Sequence, residues 1–359
     1  MIKEYPNYYP DFHCIAGACT ETCCAGWEVD LDGEAVLYYQ NIAPAPFGDV
    51  VRSHIKETED GDFIFPLREN GRCPFLNDDN LCDIIINLGE SRICRTCTEH
   101  PRFVVEVDNY LQHDLSLSCP EAARLFFNDD LKFEVLREEW DDEFLDDEPY
   151  TDNEEFVECL ELRDAALKLL NETERPLKTR LLNVEQMVLN HIAPEDKHLA
   201  PHLTKDDEGM THVKASQETD AELLDLLTCM DKLDDRWEAD MDRLKTYIPD
   251  QMDSRLVTLF WDVNSDLLLH NFDKISMYLA FRYFPDAYYD ESPVYGLNML
   301  LRSMHLIYLL AFSRWCYKQD CAGIDDSAIL DLPDLKDLCH SYSKEVEHDD
   351  KNIAALKGL

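Results

Sequence analysis

Glycine is scarce in this chain, and basic residues are far scarcer than acidic ones. Eleven glycines among 359 residues form no Gly-x-Gly pair and no Walker loop, so the dinucleotide fingerprint and the triphosphate cradle are both missing. That argues against a Rossmann-type methyltransferase. The C-x3-C-x2-C triad of standard radical enzymes is missing too, because Cys19-x3-Cys23 runs directly into Cys24. Lysine and arginine number 33 against 75 aspartates and glutamates, a formal charge of −42. Such a surface repels phosphate backbones and anionic membranes, so neither nucleic acid nor a membrane is the expected partner. The same acidity serves solubility or the steering of a lysine-rich partner. Met1 to Asp11 contains no basic start followed by an apolar stretch, and the most apolar run, Val294 to Cys316, is interrupted by Arg302 and His305. Neither a signal peptide nor a membrane span is expected, and the expected location is the cytoplasm.

Cysteine is abundant and unevenly placed. Of fourteen, nine crowd the first third: Cys14, Cys19, Cys23, Cys24, Cys73, Cys82, Cys94, Cys97 and Cys119. Cytosolic thiols would keep disulfides open, so metal ligation explains the crowding better than a bridged framework. Cys14-x4-Cys19-x3-Cys23-Cys24 gathers four thiols within eleven residues, ahead of Gly26-Trp27, and close spacing lowers the entropy of bringing them to one ion. The adjacent Cys23 and Cys24 point differently, so one can ligate while the other packs or serves a second centre. Trp27 is either a shield for the site or an ordinary core tryptophan. A second group comprises Cys73-Pro74-Phe75-Leu76, Cys82, Cys94-x2-Cys97 and Cys119. Zinc would close four-cysteine sites and act structurally, whereas an iron–sulfur cluster uses the same ligands and adds redox or substrate-binding capacity.

The chain reads as mainly α, with a loop-rich cysteine region (1–127), an acidic linker (128–155) and an α-helical domain (156–359). In the first part, Phe103–Val107, a turn at Asp108-Asn109 and Tyr110–Leu115 predict a β-hairpin. Pro120 opens a helix that puts Cys119 at its N-terminus, where amide dipoles favour thiolate. Downstream, 3.6-residue spacing predicts helices from Phe156 to Leu170, around Leu181 to Leu189, and from Leu223 to Leu244, with a long loop over His191 to Asp220. Two helices apolar nearly all round, Arg255 to Phe284 and Val294 to Tyr317, would form the bundle centre. Cys159, Cys229, Cys316, Cys321 and Cys339 read as packing residues, and His270 and His305 as satisfied core histidines. Arg282, inside an apolar run, needs an anion, either a structural carboxylate or that of a ligand.

Asp11-Phe12-His13-Cys14, Cys19-Thr20-Glu21-Thr22-Cys23-Cys24-Ala25-Gly26-Trp27 and Asp30 resemble the opening of the flagellin lysine-N-methylase family. Cys73-Pro74-Phe75-Leu76, Leu81-Cys82, Thr96-Cys97 with Pro101-Arg102, and Ser116-Leu117-Ser118-Cys119-Pro120-Glu121 are similar to its later cysteine motifs in order and spacing. Arg282-Tyr283-Phe284 with Ala287 and Asp290 resembles a stretch of its helical C-terminal half. The resemblance implies a cluster-dependent protein-lysine N-methyltransferase that uses S-adenosylmethionine on flagellin. Its [4Fe-4S] cluster would be held among Cys14, Cys19, Cys23, Cys24, Cys73, Cys82, Cys97 and Cys119, and Arg282 is the candidate cofactor-binding residue. Cys94 is additional to the pattern, and His100 stands where the family has tyrosine. The alternative expectation is a non-enzymatic iron–sulfur or zinc-binding interaction protein.

Overall fold

The computed structural model describes residues 1–140, 149–194, 196–200, 223, 226–227, 230, 235–248, 254–322 and 329–358. Its strands are β1 (Ile2–Pro6), β2 (Val29–Leu31), β3 (Lys56–Glu57), β4 (Phe63–Phe65), β5 (Arg102–Val107), β6 (Tyr110–Leu115) and β7 (Val135–Glu139). The first helices are α1 (Gly33–Asn41), α2 (Phe47–His54), α3 (Asp83–Leu88), α4 (Arg95–Glu99) and α5 (Pro120–Phe126). They are followed by α6 (Glu154–Leu170), α7 (Leu177–His191), α8 (Asp235–Tyr247), α9 (Ser254–Asp286), α10 (Val294–Ala322), α11 (Leu332–Val346) and α12 (Asp350–Lys357). The protein is mainly α.

Two compact units emerge, and neither is one uninterrupted stretch. The helical unit takes residues 1–10, 104–114 and 126 onward, and the cysteine-bearing unit takes 11–103 and 115–125. This differs from a boundary near residue 127. The reason is strand pairing: β1 lies between β6 and β7 in a sheet of order β5-β6-β1-β7, parallel to β6 with Ile2 opposite Tyr110, and antiparallel to β7 with Ile2 opposite Glu139. The expected acidic linker is therefore structured in part, since its Val135–Glu139 is an edge strand whose exposed acidic side chains suit an unpaired border. Residues 141–148 of that stretch lie outside the described residues.

The β5–β6 hairpin forms as its sequence predicts, with Asp108 in the left-handed region (φ 50°). Its Val105, Val107 and Tyr110 bury themselves against Phe156 and Leu160 of α6. Helix α6 begins where Asn153 accepts a hydrogen bond from the Phe156 amide (3.1 Å). Helices α9 and α10 form the core of this unit; α9 extends its predicted range by one residue before and two after, and α10 starts at the predicted Val294 and runs on to Ala322. The apolar span of α10 is long enough to cross a membrane, but 89% of that window is buried inside the protein, as in a core helix. Helix α9 is not apolar all round. Leu256, Asp262, Leu269 and His270 are exposed, and burial becomes continuous only from Tyr278 to Phe284. His270 is thus a surface residue rather than a core histidine, while His305 is buried as expected. Cys159, Cys316 and Cys339 pack in the interior, but Cys321 is exposed near the end of α10; Cys229 lies outside the described residues. Of the expected loop over His191 to Asp220, Asp196–Leu199 is a short 3-10 turn, and 201–220 is outside the described residues, as are parts of Leu223 to Asp234.

Close approach of α9 and α10 rests on Gly296. A Cβ there would stand 2.8 Å from the Tyr283 carbonyl oxygen and 3.0 Å from the Phe284 Cα, both backbone atoms. Gly296→Ala is expected to destabilise the protein by about 1–3 kcal/mol through overpacking. Chemical denaturation checks this, and an unchanged midpoint would mean that the two helices can slide apart freely.

Candidate metal centre

All nine cysteines of the first third fall within the cysteine-bearing unit. Its backbone explains how segments far apart in sequence bring them together. A short antiparallel ladder joins residues 24–26 to 71–73: the Gly26 amide donates to Gly71 O (2.9 Å) and the Cys73 amide to Cys24 O (2.8 Å). Gly26 and Gly71 adopt positive φ (92° and 72°), which glycine alone takes at low cost. Cys82 is returned to Cys73 by a tight loop in which the Asn77 side chain accepts from the amides of Asp79 and Leu81, both at 3.0 Å. The Asp83 amide then bonds Phe75 O (2.8 Å), and Leu76 bridges Cys82.

Cys94 and Cys97 begin and occupy the single turn of α4, three residues apart and hence on one face. Asp32 fixes that turn. One carboxylate oxygen caps α1 by accepting from the Ala35 amide (2.9 Å), and the other accepts from the Arg95 amide (2.7 Å). Burial opposes its charge, yet these amides hold the Asp32 carboxyl below the usual range. Thr96 ties the same turn to Asp30 O (3.0 Å). Asp32→Ala should therefore cost about 1–2 kcal/mol and speed hydrogen exchange at the Ala35 and Arg95 amides together. Acceleration at Ala35 alone would refute the shared role.

Cys119 sits where α5 begins, as the sequence predicts: the Ala123 amide bonds its carbonyl (2.9 Å), and the Glu121 and Ala122 amides favour its thiolate against the upward push of burial. The Ile84 and Ile85 amides of α3 do the same for Cys82, again against burial. In the first loop, Cys19 donates to Glu21 O (2.9 Å), and the indole of half-buried Trp27 donates to Cys23 O (2.8 Å) while its ring meets that of His100 at 5.7 Å. Trp27 thus packs on the cysteine loop itself.

The thiols interact electrically. Cys23 donates a hydrogen bond to Cys24, which brings Cys24 down to about 7 despite its burial, with help from Thr22 and Arg72; the same bond pushes Cys23 up. Cys97 stands in the same relation to Cys94, lowering the latter and rising itself. Burial takes Cys73 up to about 11 and raises Cys19, Cys82 and Cys119. Crowded, half-buried sulfurs cannot all ionise without a cation among them. In kind, soft thiolates with amide donors around them suit zinc or iron. In position, among the described residues no three His, Cys, Asp or Glu side chains already stand at metal-ligand spacing. Four of the thiols are joined in two hydrogen-bonded pairs, Cys23 with Cys24 and Cys97 with Cys94.

Cys94, which the motif comparison sets aside, is buried at 2% exposure and paired with Cys97. Its C-x2-C spacing carried that signal in the sequence. Arg282 belongs to the helical unit and faces an internal carboxylate: Glu347 Oε1 lies 3.4 Å from its Nε, and Glu347 also accepts from Tyr278 (2.8 Å), Tyr283 (2.9 Å) and Ser343. Burial works against the guanidinium charge, and Tyr283 and Glu347 more than offset it.

No protein-family model matches the chain, and no solved structure matches it. Curated proteins do. A lysine-N-methylase of Salmonella choleraesuis (strain SC-B67) is 30% identical over 129 residues, which cover 34% of this chain and 32% of that protein. The lysine-N-methylase of Salmonella typhimurium (strain LT2) matches to the same extent. The flagellar biosynthetic protein FliU of Salmonella muenchen is also 30% identical over 129 residues, and there the match takes in 76% of the relative. The chain thus spans about a third of the length of the lysine-N-methylases it matches and about three quarters of FliU.

Proposed function

Because the chain belongs to the family of FliU and the lysine-N-methylases, we propose that it is a protein-lysine N-methyltransferase with a thiolate-bound metal centre, acting on flagellin in the cytoplasm with S-adenosylmethionine as methyl donor. The observation that carries this reading is the gathering of nine thiols from four separate segments into one compact unit, in a chain without any glycine-rich cofactor loop. Cys14, Cys19, Cys23, Cys24, Cys73, Cys82, Cys97 and Cys119 would hold the centre, with Cys94 now joined to them by its contact with Cys97. A [4Fe-4S] cluster with an open iron would supply a binding point for the amino and carboxylate groups of S-adenosylmethionine, the task a glycine-rich loop performs elsewhere.

The chain itself has two tasks. It must accept a lysine side chain stripped of its proton, since only the neutral amine has the lone pair that attacks the methyl carbon as the carbon–sulfur bond breaks. A desolvated pocket or a base achieves that. It must also attract its substrate, and a formal charge of −42 favours encounter with lysine-bearing surfaces.

Anaerobic purification with iron, sulfide and zinc analysis, followed by incubation with S-adenosylmethionine and flagellin and mass spectrometry of the flagellin, tests the proposal. Iron and sulfide near about four per chain, with methylated lysines, is the expected result. A second reading, a non-catalytic metal-binding module, draws on the burial of Cys73 and Cys94 in a hydrophobic core. Stoichiometric zinc without sulfide, and no methyl transfer, would favour it.

A further inference from the structure

We infer that the cysteine-bearing unit docks its protein substrate on an exposed apolar strip of Ile15, Leu81, Ile85 and Ile86, and that the docked segment sets an apolar side chain beside lysine. That role rests on the methyltransferase reading; the strip adds where the protein binds and which side chains it must present.

Exposure picks out the four residues. Ile86 is 58% exposed, Ile15 and Ile85 40%, and Leu81 39%. Apolar side chains scattered singly on a surface are ordinary, whereas a contiguous group marks an interaction site. These four are contiguous. A Cβ on Gly17 would stand 3.2 Å from Leu81 Cδ2 and 3.0 Å from Asp79 O, so the loop that carries Ile15 lies directly against Leu81. Leu81 comes immediately before Cys82, the residue that caps α3, and the Ile86 amide bonds Cys82 O (3.1 Å). At such a helix start the residue before the cap and the fourth helical residue are neighbours, here Leu81 and Ile86. Of three consecutive isoleucines, Ile84 alone joins the Phe65–Phe75 core. Packing within the unit therefore leaves Ile85 and Ile86 without a structural reason to be apolar.

The strip borders the thiols, since Ile15 follows the exposed Cys14 and Leu81 precedes Cys82. A segment held there lies beside the candidate centre. Charge then names the occupant. Residues 11–30 and 73–91, which build the strip, contain eight aspartates and glutamates, four in each stretch, and no lysine or arginine. Asp78 and Asp79 are exposed on the loop before Leu81 and enter no salt bridge among the described residues. Arg72 reaches that loop from outside the two stretches and donates to Asn80 (2.5 Å), which offsets a single charge. An apolar strip with an anionic border repels a second copy of itself and an anionic lipid surface. It attracts a segment in which lysine flanks an apolar residue: burial of the apolar side chain supplies affinity, and the lysines supply encounter and orientation.

The test uses the full chain and three fluorescein-labelled synthetic peptides, which carry leucine among lysines, leucine among glutamates, or serine among lysines. Wild type should bind the leucine–lysine peptide at least about tenfold more tightly than either of the others, and less tightly as salt rises. Ile86→Ser should weaken that binding, and Leu81→Ser with Ile86→Ser should weaken it about tenfold and raise the flagellin concentration for half-maximal methyl transfer by a similar factor. Leu256→Ser, on α9 in the other unit and as exposed as Leu81, should change neither. If Leu81→Ser unsettles its loop, as circular dichroism would show, Ile86→Ser alone decides. Equal binding by wild type and these variants, or equal binding of the serine–lysine peptide, would overturn the strip as a docking surface even while wild type methylates flagellin. Peptide binding as expected, without methyl transfer by the wild type, would instead sink the methyltransferase reading and leave the strip as the docking surface of a lysine-bearing partner.

Discussion

Replacing Arg163 with methionine should lower the stability of the helical unit by about 3–5 kcal/mol, the cost of leaving the buried Glu4 carboxylate without its buried partner and with only the more exposed Arg137 beside it. Arg163 is 2% exposed. It donates to Glu4 on β1 (2.5 Å) and to Tyr110 (2.6 Å) and Gln112 (2.7 Å) on β6. Tyr110 donates in turn to the same Glu4 oxygen (2.7 Å), and Gln112 to Phe281 O on α9 (2.9 Å). One guanidinium on α6 thus joins two strands and, through Gln112, a core helix. The double variant Arg163→Met with Glu4→Gln should be milder than Arg163→Met alone, because the stranded charge is gone. Urea unfolding of the three proteins provides the comparison, and additive losses would show that the two residues act independently.

The same pair sets an acid limit. Burial pushes the Glu4 carboxyl upward, but Arg163, Tyr110 and Arg137 together bring it below its ordinary value. A carboxyl depressed in the folded state contributes stability that is complete above its unfolded value, about 4.3, and is lost as the pH falls through the lower folded one. Glu4→Gln should therefore flatten the acid limb of a stability–pH curve and leave its neutral shape alone. Parallel acid limbs for the two proteins would assign the sensitivity elsewhere.

Glu347→Ala is the second substitution with a large expected effect, again about 3–5 kcal/mol. Glu347 is 2% exposed and receives hydrogen bonds from Tyr278, Tyr283 and Ser343 while facing Arg282. Its removal takes the ion-pair carboxylate from a buried guanidinium and leaves the Tyr283 and Tyr278 phenols and the more weakly acting Asp114 carboxylate around it. Glu347→Gln, which keeps the acceptor oxygen and loses the charge, should fall between wild type and the alanine variant. Differential scanning calorimetry gives the order. A loss below about 1 kcal/mol for Glu347→Ala would mean that another anion already neutralises Arg282, and would return that arginine to the cofactor question.

Local patterns were the legible part of the sequence. Alternation and a two-residue turn marked the β5–β6 hairpin, proline marked the start of α5, and apolar periodicity marked α6, α7, α9 and α10, because each signal resides in consecutive residues. Long-range pairing was not legible. Nothing in Ile2–Pro6 says that its partners are Tyr110–Gln112 and Val135–Glu139, so the acidic run holding β7 read as a linker. His270 and Cys321 were misplaced for a related reason: an apolar helix can show a surface at one end, and only the packing of neighbours decides which end. For the candidate site, spacing located the thiols, but the division by burial between Cys23 and Cys24, or Cys94 and Cys97, depends on which side chain meets the Tyr39–Phe65–Phe75 core.

The interleaved course of the chain also bears on the order of its synthesis. A ribosome releases β1 first, then the whole stretch from Cys14 to Cys119, and only afterwards β7. All nine thiols of the cysteine-bearing unit have therefore emerged before β1 acquires its second neighbour, and α6, whose Arg163 neutralises Glu4, follows later still. A nascent chain halted between α5 and β7 would present a complete set of soft ligands with its sheet unfinished. Metal delivered at that stage would nucleate the cysteine-bearing unit from within, before the strands that bracket it in sequence have closed around one another.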